Sequence, residues 1–225
     1  VEAAIRPVNV HYPTTSLISL ENTHNRGGGS CYELSELEAI AEVARRHQIP
    51  LHLDGARIFN ALVATGQSGQ EYGRIFDTIS VCLSKGLGTP VGSVLLGSKA
   101  FIQKTKRIRK VMGGGMRQAG YIAAAGLYAL ENNVERLADD HARAQRLGAT
   151  LAAQPYVATV LPVETNLVIF KLADSMPAEQ FLAKLEEQGI KASSFGPQMI
   201  RFVTHLDVDD AMIERIETAL TGLQG

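Results

Sequence analysis

Apolar residues along the chain switch between two spacings, and the switches mark its elements. Thr15 to Leu20 alternates as a strand does and runs into the turn-rich stretch ENTHNRGGGS, whose RGGGS reads as a mobile turn. A helix follows, opened by Ser35 with Glu38 three residues on as a capping box, and Leu34, Leu37, Ile40, Ala41 and Ala44 give it one apolar face. PLHLD, ending at Asp54, is a second strand, and GARIFNALVATG is a helix closed by Gly66. Ile79, Val81 and Leu83 alternate in a third, mostly buried strand, and VGSVLLGS reads as a fourth buried one. Alternation of strand and helix at this spacing predicts βαβ units on a parallel sheet, an α/β fold.

A basic helix is expected from about Ser98 to Met112, broken by the triplet Gly113 to Gly115. From Met116 to about Gln154 the pattern stays helical, alanine-rich at first and charged later, as in a helix that bridges two domains. Beyond Pro155 the short strands NLVIFKL and MIRFVTH alternate with amphipathic helices from about Pro177 and from Asp207, which predicts a small α+β domain. No segment repeats another.

Composition narrows the partners. The 22 basic and 23 acidic residues nearly cancel, leaving a formal charge of -1, so neither nucleic acid nor an anionic membrane is expected. The longest apolar stretches, Val91 to Leu96 and Ile122 to Leu130, fall short of the roughly 18 residues that a membrane span needs. Cys31 and Cys82 are far apart, and Cys82 lies in a predicted strand, so no metal or disulfide framework is expected and a reducing cytoplasm fits. Val1 follows no methionine and no signal-like segment, which suggests part of a longer chain.

Candidate chemistry gathers at strand ends, where ligands collect in open α/β sheets. Asp54 and Lys85 both stand there. Alone, such an aspartate is ordinarily a helix cap and such a lysine merely solvated. Together they suit pyridoxal phosphate: an amine for the cofactor's aldehyde and a carboxylate to keep its pyridine nitrogen protonated. If residues 54 to 58 turn as the start of a helix, Arg57 comes near the same face as Asp54, either as a surface ion pair or as a donor to the ring oxygen or a substrate carboxylate. Gly86, Gly88 and Pro90 let the chain turn tightly beside Lys85, where backbone amides could meet a phosphate. SKGLGT lacks the spacing of a Walker A loop, which disfavours a nucleoside triphosphate.

Five blocks carry a closer likeness: ENTHNR at 21–26, HLDGARIFNA at 52–61, SVCLSKGLGTPVGSVLLGS at 80–98, GGGMRQAGYIAAAGLYAL at 113–130 and IRFVTHLDV at 200–208. In this order they resemble the low-specificity L-threonine aldolases, pyridoxal phosphate enzymes of fold type I in the group related to β-eliminating lyases. The resemblance implies a partial fold type I, aminotransferase-like large domain over residues 1–133, a mostly parallel sheet with flanking helices, and a small C-terminal α+β domain over 134–225. It implies retro-aldol cleavage of threonine or allo-threonine to glycine and acetaldehyde. Other pyridoxal phosphate reactions on the same scaffold stay open, namely phenylserine cleavage, β-elimination and racemisation, as does a non-catalytic remnant acting as a subunit.

The same resemblance assigns roles. Lys85 matches the Schiff-base lysine, Asp54 the aspartate on the pyridine nitrogen, and Arg57 the arginine near the ring oxygen and substrate carboxylate. Arg201 matches the small-domain arginine that grips the amino acid's carboxylate. His24 matches a histidine on the substrate's hydroxyl side, a candidate base. Arg117 and Lys110 match basic positions that approach the cofactor phosphate or a neighbouring subunit's site. Family members also carry a leading segment ahead of the IRP found here at Ile5 to Pro7, with a phosphate loop and a histidine that stacks on the cofactor ring. That segment is expected as a partner, and homo-oligomers, usually dimers of dimers, are implied.

Overall fold

A computed structural model describes residues 1–223. Its first half lays four strands side by side in the order β1 (Ile18–Glu21), β2 (Leu51–Gly55), β3 (Thr78–Cys82), β4 (Ser93–Gly97). The first three are parallel, and β4 returns antiparallel to β3. Helices α1 (Leu34–Arg46), α2 (Ile58–Thr65) and α3 (Gly69–Ile75) connect the parallel strands. Leu37, Ala41, Leu51, Leu53 and Ala61 are buried between sheet and helices, and this apolar face keeps the strand ends in register.

α4 (Lys99–Val111), α5 (Gly120–Asn132) and α6 (Leu137–Ala152) lead to a second sheet. Its strands β5 (Val157–Val160), β6 (Leu167–Leu172), β7 (Ser193–Gly196) and β8 (Met199–Val203) pair antiparallel in the order β5-β6-β8-β7, with α7 (Ala178–Glu187) and α8 (Asp210–Gly222) completing the unit. Every residue of β6 except Lys171 is buried, because it is an inner strand. Phe170 meets Phe181 and Phe202 edge-on, with ring centroids 5.6 and 5.3 Å apart.

Several expectations change. The cap of α1 is Glu33, two residues before Ser35: its N–H donates to the Glu36 carboxylate at 3.2 Å, and its backbone is still extended. α3 was not anticipated, although Ser68 and Glu71 form a capping box there, the Ser68 N–H donating to Glu71 Oε2 at 2.7 Å. The long bridging helix is two helices, because the chain breaks after Asn132 and Asn133 Nδ2 donates to the Leu87 carbonyl at 2.8 Å. β4 is an edge rather than a buried strand. All five of its residues are exposed, Val94, Leu95 and Leu96 by 40, 39 and 47%, since no described strand pairs beyond it. Apolar side chains of α4 and α5, among them Ile108, Val111, Tyr121 and Leu127, are likewise exposed.

The RGGGS turn is packed rather than loose. Gly28 and Gly29 are buried, Thr165 Oγ1 donates to the Gly29 carbonyl at 2.8 Å, and the Cys31 N–H donates to Glu164 Oε2 at 2.9 Å. The turn after β1 is thereby fastened to the segment that leads into β6.

Between α2 and α6 lies a buried histidine. His141 Nε2 is 3.0 Å from Asn60 Oδ1, and both residues are buried. With Asn60 so oriented its oxygen only accepts, which places the imidazole proton on Nε2. Burial pushes the His141 pKa below its ordinary value, against a smaller opposite pull from Asp140. As pH falls through the ordinary histidine range, about 6.5, the unfolded chain takes up a proton that the folded chain does not, so folding loses stability on the acid side. Urea midpoints of the wild type are therefore expected to fall from about pH 7 to pH 5 more steeply than those of His141→Gln. Parallel pH profiles for the two proteins would contradict this.

Candidate active site

β2 and β3 are adjacent and parallel, so their carboxyl ends open on the same side of the sheet. Asp54 is the next-to-last residue of β2, level with Ser80 on β3, and Lys85 follows β3 in the turn toward β4. Hydrogen bonds shape that turn: the Gly88 N–H donates to the Lys85 carbonyl at 2.8 Å, the Thr89 N–H to Leu83 at 3.2 Å, and the Leu83 N–H to Gly92 at 3.0 Å. The amides of Gly88 and Thr89 are thus engaged within the turn.

Lys85 borders a cavity of about 260 Å³, shared with Arg57, Ser84, Asn166, His205 and Asp207. Its side chain is exposed and forms no ion pair or hydrogen bond with another described residue. Asp54 is also exposed, and its Oδ1 accepts from the Ala56 N–H at 3.0 Å. Residues 54 to 58 do not begin a helix together: the strand runs through Gly55, Ala56 and Arg57 make the turn, and α2 starts at Ile58.

Arg57 nevertheless points toward the site, since its Nη1 donates to Asn25 Oδ1 at 3.3 Å. Arg201 on β8 donates from Nη1 to the same oxygen at 3.2 Å, and its guanidinium lies 4.7 Å from the centre of the Phe195 ring. Its buried Nε has no hydrogen-bond partner among the described residues. Burial first, and then the Arg201 charge, lower the pKa of Arg57, while Glu21 and Asp54 act in the opposite sense.

His24 is exposed on the turn after β1, bridged to Ser30, with Nε2 3.5 Å from Glu21 Oε2. The structure therefore brings Lys85 and Arg57 to one cavity and ties Arg57 through Asn25 to Arg201, which itself lines a neighbouring cavity beside β8, with Asp54 at the adjoining strand end and His24 next to Asn25 in the chain. Lys110, in the last turn of α4, and Arg117, before α5, do not line the Lys85 cavity.

Sequence reading missed Asn25, Asn166 and His205. Asn25 and Asn166 carry neither charge nor a titratable proton, so no chemistry flagged them. Asn166 is buried, its Nδ2 donates to the Thr204 carbonyl at 2.9 Å, and its Oδ1 lacks a partner among the described residues. A larger cavity, about 340 Å³, lies between β8 and α8 with Leu147, Phe202, Val208, Ile213 and Ile216 around it, and it is mostly apolar.

Residues 1–175 match the family model described as beta-eliminating lyase. The chain belongs to that family. Among its relatives, low-specificity L-threonine aldolase 1 of Arabidopsis thaliana is 44% identical over 210 residues, which are 91% of this chain and 59% of that protein. The low specificity L-threonine aldolase of Escherichia coli K12 is 41% identical over 218 residues, 96% of this chain and 62% of that protein. The chain thus spans about three fifths of the length of these curated relatives. A threonine aldolase structure from Leishmania major shares the fold with TM-score 0.76 at 19% identity, over 95% of this chain and 63% of that one. A histidinol-phosphate aminotransferase from Clostridium acetobutylicum shares it at 0.70 and 15%, over 92% and 63%. The fold is therefore that of fold type I lyases and aminotransferases, and pyridoxal phosphate is the cofactor of the beta-eliminating lyase and threonine aldolase family.

Proposed function

We propose that this beta-eliminating lyase cleaves L-threonine and L-allo-threonine to glycine and acetaldehyde, with pyridoxal phosphate held at Lys85. The observation that carries the reading is the unpaired Lys85 amine in one cavity with Arg57, itself joined through Asn25 to Arg201. The donor set fits the cofactor. Lys85 offers a free amine for its aldehyde, and the exposed Asp54 carboxylate is suited to a protonated ring nitrogen. When bound, pyridoxal phosphate supplies an electron sink for the bond that breaks.

The chain's own residues do the rest. Arg57 and Arg201 grip the substrate carboxylate, which orients the Cα–Cβ bond. His24, beside Glu21, takes the proton from the β-hydroxyl directly or through water as the Cα–Cβ bond opens to the aldehyde. The electron pair left on Cα is protonated, and glycine results.

The Gly88 and Thr89 amides are engaged within the lysine turn, so the phosphate also draws on groups beyond it. Lys110 and Arg117 serve that purpose toward the site of a second copy. The exposed edge of β4 and the apolar faces of α4 and α5 offer surface for a homo-oligomer, a dimer of dimers. Residues 1–133 act as the large domain and 134–225 as the small one. No described helix is long and apolar enough to cross a membrane, and a cytoplasmic setting suits the chemistry.

The protein, as it occurs in the cell and supplied with pyridoxal phosphate, is expected to release acetaldehyde and glycine from L-threonine in equal amounts. Ammonia and a keto acid, or exchange of the α-hydrogen without cleavage, would assign it to a different reaction.

A further inference from the structure

Two guanidinium groups drawn together repel each other, and partial burial strengthens the repulsion. Arg57 and Arg201 are so placed, and burial first, then the Arg201 charge, lowers the pKa of Arg57. A neutral amide holds them: Asn25 Oδ1 accepts from Arg57 Nη1 at 3.3 Å and from Arg201 Nη1 at 3.2 Å. A guanidinium has only donors, so the oxygen must be the atom that faces both arginines. Asn25 Nδ2 makes no hydrogen bond with another described residue. The three groups come from three parts of the chain, the turn after β1, the turn before α2, and β8. Asn25 is itself anchored, its N–H donating to Glu21 Oε1 at 3.2 Å.

We infer that Asn25 is a positioning residue that sets Arg57 and Arg201 as a paired clamp for an amino-acid carboxylate, and that its neutrality leaves the clamp's charge available. The inference rests on the reading proposed above. An aspartate at this position would join the same guanidiniums by charge-assisted bonds, and would occupy the charge that the ligand's carboxylate needs. Asn25→Asp therefore weakens binding without a loss of stability. A residue with a purely structural role would move both together.

Glycine titrated calorimetrically into the pyridoxal phosphate-loaded protein, alongside melting temperatures, tests this. Asn25→Asp is expected to weaken glycine by about tenfold or more, with a melting temperature unchanged or raised. Asn25→Ala is expected to lower both affinity and melting temperature, because the arginines lose their bridge. Asn25→Asp that binds glycine like the wild type, or that loses affinity together with a matching fall in melting temperature, overturns the inference. Failure of the underlying reading has a different signature: a wild type that takes up no pyridoxal phosphate on Lys85 and binds no glycine, which overturns the clamp as well.

Discussion

Lys85→Ala is expected to lower threonine cleavage by about three orders of magnitude or more, because no other group in the cavity can supply a neutral amine to an aldehyde. The cavity's remaining nitrogens belong to guanidinium, imidazole and amide groups, on Arg57, His205 and Asn166. Borohydride reduction of the wild type should fix the cofactor to the peptide that contains Lys85, and the variant should retain no such label. Stability should barely move, by less than about 0.5 kcal/mol, since the side chain is exposed and removes no contact made by the fold. A variant that keeps a tenth of the activity, or a label fixed elsewhere, would remove Lys85 from the reaction.

The second large effect is structural. Gly29 has φ +81°, and a Cβ there would stand 2.4 Å from Thr165 Oγ1 and 3.3 Å from Leu167 Cβ. Thr165 cannot give way without losing its 2.8 Å bond to the Gly29 carbonyl, which fastens the turn to the second sheet. Gly29→Ala therefore combines left-handed strain with a clash and a broken buried hydrogen bond, and is expected to cost roughly 2–4 kcal/mol. Gly28→Ala is the control: its φ is similar, +79°, but the added Cβ would meet Leu161 at an ordinary 3.4 Å. It should cost only about 1–2 kcal/mol, the backbone strain alone. Equal urea midpoints for the two variants would show that the packing against Thr165 carries no weight. Because the same turn bears His24 and Asn25, Gly29→Ala should also weaken glycine binding.

Much of the fold was legible along the chain. Alternation around Ile79 and Val81, the PLHLD strand and the end of α2 at Gly66 arise from local rules of side-chain periodicity and backbone freedom, which operate within a few residues. A charged residue just past an apolar run is equally local, so the Asp54 and Lys85 positions were readable as strand ends. Boundaries were less so. Glu33 displaced Ser35 as the cap because a longer acidic side chain one turn from Glu36 could close the same box, and Asn133 ended a helix whose pattern continued past it.

Residues close together in the chain set the strands that carry Asp54 and precede Lys85, most of the helices, and the chemical types at their ends, while short elements such as α3 and the break between α5 and α6 escaped the local pattern. Tertiary structure decided which faces remain uncovered, as on β4, whose apolar run would read the same with a neighbour on its open edge. It decided that three glycines form a docked turn rather than a loose one, through Thr165, which lies 136 residues from Gly29. It also decided that Arg57 and Arg201 meet on one oxygen of Asn25, a residue 176 positions from Arg201. Such meetings depend on how two sheets pack, and no local pattern encodes the distance between residues that only folding brings together.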